Sequence, residues 1–239
     1  MVVDYTGITL PVAKRIQEQF REQLKFDSMD ESSISTIAGA DISFNKNSHE
    51  LYATIIILDY PSLKLKAYAL AKGESDFPYF PGYLGFREVP TLLKAWSLLP
   101  YRPDVTILDG QGILHPRRMG IASHFGILTG QPTVGCAKTS LYGYYEQPNA
   151  LKYAASPVYE KHTNAHIGYA LRTKNATKPI YVSPGYGMSL ENSLAILKKC
   201  AGKYRIPEPT RIAHEIVNQY RIGKLAEGYH QFVSQQELF

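Results

Sequence analysis

Two cysteines in 239 residues are too few, and Cys136 and Cys200 too far apart, to build a zinc-ligand cluster or a disulfide framework. Such sparse cysteine suits a reducing compartment, and a cytoplasmic location is the expectation. No stretch approaches the ~20 consecutive apolar residues of a membrane span. The opening MVVDYTGITLPVAKRIQEQF is broken by charge where a signal peptide would carry an apolar core. Neither export nor a membrane partner is therefore expected. Repeats, low-complexity tracts and linker-like segments are also missing, so one domain over residues 1–239 is expected, as a monomer. Acidic residues are the minority charge: 21 Asp and Glu against 26 Lys and Arg leave a formal excess of +5, which suits a polyanionic partner. The 18 tyrosines lean the same way, because an aromatic ring can stack on a base while its hydroxyl stays wet.

What the chain does contain is an alternation of strand and helix patterns. Residues 11–26 space Val12, Ile16, Phe20 and Leu24 about four apart, an amphipathic helix to which no chemistry is assigned. Three strands follow, at 34–44, 51–60 and 63–71, with connections short enough for an antiparallel meander. A helix runs through Val89, Leu92, Leu93, Trp96 and Leu99. Then come a short buried strand at 105–108, a helix that continues from Ile121 to Thr129, and a strand at 132–137. Residues 139–165, rich in tyrosine, read as an irregular surface excursion, and 167–172 with 179–182 as a hairpin. Ser189 is the expected N-cap of the next helix, and prolines 207 and 209 introduce the last. Strand-helix alternation after a meander implies a mixed central β-sheet flanked by helices, an α/β fold.

Several residues sit where plain structure does not ask for them. Asp41 lies inside a strand, on a face with Ile37 and Gly39, although aspartate is disfavoured there. Asp109 ends the apolar run Val105–Leu108, and an unpaired carboxylate at a buried strand end is costly unless a cation offsets it. For Asp41, a strand-end hydrogen bond to a neighbouring loop is the alternative. After Asp109, Gly110 and Gly112 allow close backbone approach, and His115-Pro116-Arg117-Arg118 offers donors for anionic oxygens; a glycine turn into a helix starting near Pro116 is the alternative. In DFPYFPGYLGFRE, Pro78 and Pro81 stiffen a loop that holds Tyr79 and Phe80, either as a probe for stacked bases or as a hydrophobic plug. Glu88 is expected at the start of a helix, where a carboxylate suits the dipole in any case. Lys138 leaves a strand as a point charge suited to phosphate, and His214 falls on the wetter side of the last helix.

With these pieces in order, the chain resembles the endonuclease V family. The likeness runs from GADISF (39–44) through PYFPGYLGFRE (78–88) and DGQGILHPRRMGIASHFG (109–126) to PTRIAHE (209–215). It implies a ribonuclease H-like fold and Mg²⁺-dependent hydrolysis, with Mn²⁺ as a substitute. The bond implied is the second phosphodiester 3′ to deoxyinosine, cut to leave 3′-hydroxyl and 5′-phosphate ends in a DNA-repair reaction. By motif, Asp41, Glu88, Asp109 and His214 match the family's acidic and metal-proximal positions, with Asp41 and Asp109 as metal ligands. Lys138 matches its lysine near the scissile phosphate. Tyr79 matches the wedge, and Gly82, Leu84, Gly110, His115 and Ile121 lie in the segments of the base pocket. Many family members carry Asp where this chain has His214. The implied partner is inosine-containing DNA or RNA.

Rival readings make different demands. Another ribonuclease H-like nuclease would share the carboxylates but not the PYFP segment, and an inosine-specific ribonuclease would share both. An inactive nucleic-acid-binding protein needs only the basic charge and the tyrosines; three acids near a phosphate oppose it unless a cation intervenes. A glycosidase also uses paired carboxylates, but the basic, lysine-containing surroundings speak against one.

Overall fold

Apolar alternation and glycine placement together decide how this sheet and its helices meet. The computed structural model describes residues 3–46 and 48–232, so both ends of the expected 1–239 span lie partly outside the described residues. The elements in order are α1 (Leu10–Arg21), a 3₁₀ turn (Glu31–Ser33), β1 (Thr36–Ser43), β2 (Glu50–Asp59), β3 (Leu65–Glu74), α2 (Leu84–Leu98), β4 (Val105–Leu108), α3 (Ile121–Thr129), β5 (Thr133–Ala137), β6 (Ala155–Tyr159), β7 (His166–Leu171), β8 (Ile180–Tyr186), α4 (Leu190–Lys199), α5 (Glu208–Arg221) and β9 (Gly228–Gln231). Among the described residues, nine strands form one sheet in the order β6-β7-β8-β5-β4-β1-β2-β3-β9. Its centre, β1-β4-β5, is parallel. The expected meander β1-β2-β3 and hairpin β7-β8 are antiparallel. Among the described residues no helix is long and apolar enough to cross a membrane.

Period-two alternation sorts β1 onto both faces of the sheet. Ala38 and Ala40 pack with Val89, Leu92, Trp96 and Phe125 beneath α2 and α3. Ile37 turns the other way, with Ile107 and Val134, onto Ile196 and Leu197 of α4. Alongside, Ile56, Leu58 and Leu70 receive Ala213, Ile216 and Tyr220 of α5. Gly39 makes the crossing of α5 possible: a Cβ there would lie 2.1 Å from the Pro209 carbonyl oxygen. With only hydrogen at that point, the start of α5 lies directly on β1 and carries His214 to Asp41.

Several elements and boundaries differ from the sequence reading. Helix α2 starts at Leu84, before Glu88, and α3 starts at Ile121, so residues 115–120 are a turn and no helix begins at Pro116. The excursion at 139–165 contributes the edge strand β6, and β9 forms the opposite edge. Helix α1 ends at Arg21, short of residue 26.

Two buried histidines make the fold acid-sensitive. The His124 ring meets Tyr5, Phe20 and Phe86 edge-on with centroids 5.0–5.4 Å away, and the Tyr5 hydroxyl lies 2.6 Å from its Nε2. Burial pushes its pKa down to about 3, and burial with the Arg117 charge pushes that of His115 down to about 4. Unfolding returns both to ~6.5. In between, the unfolded chain binds protons that the native state does not, so stability rises with pH across that window and falls on acidification. Urea unfolding at pH 6.5 and pH 4.5 is expected to differ by about 5 kcal/mol from these two groups. A midpoint that stays level would contradict their burial as neutral rings.

Candidate active site

Parallel pairing of β1 and β4 sets the two strand aspartates side by side. The Asp109 amide donates to the Ala40 carbonyl at 3.2 Å, one residue beyond the β1–β4 register. Asp41 accepts from the Ile42 amide at 2.9 Å through Oδ1 and from His214 Nδ1 at 2.8 Å through Oδ2. The Lys138 ammonium, just past the end of β5, pairs with the Asp109 carboxylate. Glu88 is buried within α2, well inside its first turns rather than at its cap, so dipole capping does not account for it. All five expected polar residues therefore converge from β1, β4, β5, α2 and α5.

The electrostatics of this cluster are those of excess buried negative charge. Burial first, and then the Asp41 charge, push the Glu88 pKa up to about 8 against the opposing pull of Arg87. The same two causes raise Asp109, with Lys138 pulling the other way. Burial works against the Lys138 ammonium, but the charge and hydrogen bond of Asp109 outweigh it and raise its pKa above the ordinary lysine value. His214 is raised chiefly by its hydrogen bond to Asp41. Lys138 pairs with Asp109 and His214 donates to Asp41, so each eases the negative charge that burial and mutual repulsion disfavour here. Among the described residues, no three His, Cys, Asp or Glu side chains enclose an ion. Oxygen donors fit a hard divalent cation that keeps part of its sphere as water and phosphate, as Mg²⁺ does.

A cavity of about 280 Å³ opens directly beside the acids, with Asp109 and Lys138 in its wall. Tyr79, Gly82, Leu84, Gly110, His115 and Ile121 all line it, so every residue of the expected base pocket is brought together. Its size sits at the low end for ligand pockets, about 300–1,000 Å³, which favours one base over a larger ligand. Tyr79 is 66% exposed and Phe80 40%, so the PYFP loop is not a buried plug.

Three details depart from the sequence reading. The carbonyl of Gly82 is not open to a ligand, because Gln17 Nε2 (2.9 Å), His115 Nε2 (3.0 Å) and Arg117 Nη2 (2.8 Å) already donate to it. His115 Nδ1 accepts from the amides of Arg117 and Met119, which assigns its proton to Nε2. Arg117 turns inward over the Tyr83 ring, and Arg118 faces Glu160, so neither serves as the free anion donor expected from the HPRR segment. Of the tyrosines in the excursion, Tyr142 bonds Glu160 and Tyr145 bonds Tyr181; they fasten the loop to the sheet. Gln17 is the residue that sequence reasoning missed. It lies buried beside Ala13 on the inner face of α1, one residue on from the apolar stripe Val12, Ile16 and Phe20 that the spacing picked out.

Comparison with known proteins bears on the family of the chain. Residues 18–215 match the family model for endonuclease V. An endonuclease V from a Roseiflexus species is 40% identical over 216 residues, covering 90% of this chain and 95% of that protein. The crystal structure of endonuclease V from Streptomyces avermitilis superposes with a TM-score of 0.84 at 36% identity, covering 92% of this chain and 96% of that one. Endonuclease V from Ciona intestinalis, solved with a 24mer DNA containing an inosine followed by a ribo-adenosine, gives a TM-score of 0.79 at 26% identity over 88% of this chain and 97% of that one. A match spanning both the sheet and the segments that build the acid-lined cavity places the chain in the endonuclease V family, deoxyribonucleases with a ribonuclease H-like fold.

Proposed function

We propose that this chain is a Mg²⁺-dependent endonuclease that recognises deoxyinosine in DNA and hydrolyses the second phosphodiester bond on its 3′ side, leaving 3′-hydroxyl and 5′-phosphate ends. The observation that carries this reading is the shared wall: Asp109 and Lys138 belong both to the acid cluster and to a cavity sized for one base. A flipped base seated there brings its own strand past the carboxylates. The inosine-containing DNA bound by the Ciona relative supports the choice of base.

Each residue has a distinct task in this reading. Asp41 and Asp109 would hold the cation through carboxylate oxygens, with Glu88 behind them. The cation, Mg²⁺ or Mn²⁺ in its place, supplies Lewis-acid stabilisation of charge developing on the phosphate and the leaving oxygen. Lys138 faces the phosphate as a point charge, already beside Asp109. His214 orients Asp41 by donating from Nδ1 to Oδ2. Hypoxanthine lacks the exocyclic amine of guanine, so a tight pocket rejects guanine by size and by a donor left unpaired. With the Gly82 carbonyl committed to Gln17, His115 and Arg117, reading of the base edge falls to the Gly110 side of the pocket. Flipping costs least for a weakly paired base, which adds to the selectivity.

Tyr79 stands at the mouth of the cavity, where a wedge must fill the gap left by the extruded base. Tyr79→Ala is expected to weaken binding to inosine duplex by ~1–3 kcal/mol, with a smaller loss on single strands that need no wedge. Equal losses on both would mean that the ring stacks without wedging. Matched DNA and RNA oligomers carrying one inosine, incubated with Mg²⁺ and mapped at nucleotide resolution, test the reaction itself. A cut one nucleotide beyond the inosine's own 3′ phosphodiester in DNA is expected; cleavage confined to RNA would support the ribonuclease reading, which the ribo-adenosine of the Ciona complex brings forward.

A further inference from the structure

The backbone of Lys138 is held by an arginine whose hydrogen bonds go to main-chain carbonyls. Arg205, in the turn between α4 and α5, donates from Nη2 to the carbonyls of Lys138 (2.6 Å) and Pro179 (2.9 Å), and from Nε to the carbonyl of Lys178 (2.9 Å). Its own carbonyl accepts the hydroxyl of the fully buried Thr173, next to the end of β7. Both the side chain and the backbone of Arg205 are thereby fixed to the β5-β8-β7 side of the sheet.

The sequence explains why a guanidinium is needed there. Strands β5 and β8 pair as far as Ala137 and Tyr181. Continuing that register would bring Thr139 to Pro179, which has no N–H to donate, so the ladder ends as Lys138 leaves the sheet. The carbonyls of Lys138, Lys178 and Pro179 then crowd together without a strand partner. A planar fork of donors can serve all three at once, which a lysine ammonium does with less geometric definition. The result bears on chemistry because the clamped carbonyl belongs to the residue whose ammonium pairs with Asp109. Lysine carries ~2 kcal/mol of rotamer entropy, so fixing its backbone narrows where its head group can go.

We propose that Arg205 is a positioning residue for the cleavage step: by clamping the Lys138 carbonyl to the start of β8, it aims the Lys138 ammonium at Asp109 and the scissile phosphate. The proposal rests on the role of Lys138 given above, and a double-mutant cycle separates the two. Single-turnover cleavage and binding of inosine duplex would be measured for the wild type, Arg205→Met, Lys138→Met and the double variant, with thermal melts to follow folding.

Lys138→Met is expected to lose about 10²-fold in rate, the scale for removing one charge-stabilising donor. Arg205→Met is expected to lose about 10-fold in rate, as a small misplacement of a reacting group does, with duplex affinity within about twofold of wild type. In the Lys138→Met background the same change should cost under about twofold, because the group it positions is gone. Arg205→Lys keeps the charge without the fork and should recover only part of the loss; it carries the same comparison if Arg205→Met fails to fold. Equal costs in both backgrounds, or full rescue by lysine, would overturn the positioning role while leaving that of Lys138 intact. A Lys138→Met protein as fast as wild type would overturn the role of Lys138 and that of Arg205 with it.

Discussion

Asp109→Asn is expected to lower the single-turnover cleavage rate by about 10³-fold or more, the upper range for losing one preorganised charge-stabilising group. The same change should leave binding of inosine DNA intact or tighter, because it removes negative charge facing a phosphate and frees the Lys138 ammonium. Stability gives an independent check. Burial and Asp41 raise the Asp109 pKa, so in the cation-free protein its charge is unfavourable to the fold, and a neutral amide should hold or raise the melting temperature. Activity lost while stability is kept marks a residue retained for chemistry. Asp41→Asn should likewise abolish cleavage, although its amide can accept only one of the two hydrogen bonds that Asp41 takes from Ile42 and His214. Glu88→Gln should be nearly silent in stability at pH 7, since a carboxyl pushed up to about 8 is already mostly protonated there. Unimpaired cleavage by the Asp109 variant would remove the assigned site.

The second large effect belongs to the base pocket. A Cβ at Gly110 would lie 2.5 Å from Ile121 Cγ2, and both residues line the cavity. Gly110→Ala must therefore either push the Ile121 side chain or shift the turn that carries Asp109. Cleavage of inosine DNA is expected to fall by about 10²-fold, since displacing a reacting group by an ångström costs that much. Truncating Ile121 beyond Cβ removes the opposing Cγ2 and should restore part of it, so the double variant Gly110→Ala/Ile121→Ala is expected to be faster than Gly110→Ala alone. If the double variant is slower still, the two residues act separately and the contact is not the cause.

Much of this site was legible because a few residues violated local rules. Asp41 inside a strand and Asp109 at the end of an apolar run could not be explained by propensity, and parallel pairing of β1 with β4 brings them together. The PYFP segment announced an exposed aromatic through its two prolines, and Tyr79 is exposed. The start of α2 was hidden by Gly82 and Gly85, which read as loop and left the charged pair Arg87-Glu88 at the expected start of the helix. Their burial depends on partners distant in sequence: Arg87 donates to the Phe77 carbonyl at 3.0 Å and lies over the Phe44 ring. Gln17 was invisible as a site residue for the same reason, since it meets Gly82 and Met119 only through the tertiary fold. Strand β9 is short and polar, formed by pairing with β3 and by Tyr68 stacking on His230 rather than by its own pattern. The HPRR segment shows the opposite error: residue types suited to phosphate are used to brace a carbonyl.

The measurement that bears most directly on the whole account uses one end-labelled duplex in two versions, with inosine or guanine at a single position, under single-turnover conditions. Each is incubated with the protein in Mg²⁺, in EDTA, and in EDTA followed by excess Mg²⁺, and the products are sized against a ladder. One cut is expected in the inosine strand, at the second phosphodiester 3′ to the lesion and ending in a 3′-hydroxyl. That cut should be absent in EDTA, restored by Mg²⁺, and at least about 10²-fold slower with guanine, the scale on which a misfitting base disturbs alignment. Cleavage that persists in EDTA, or that proceeds equally on the guanine duplex, would contradict a base pocket and a cation site sharing one wall.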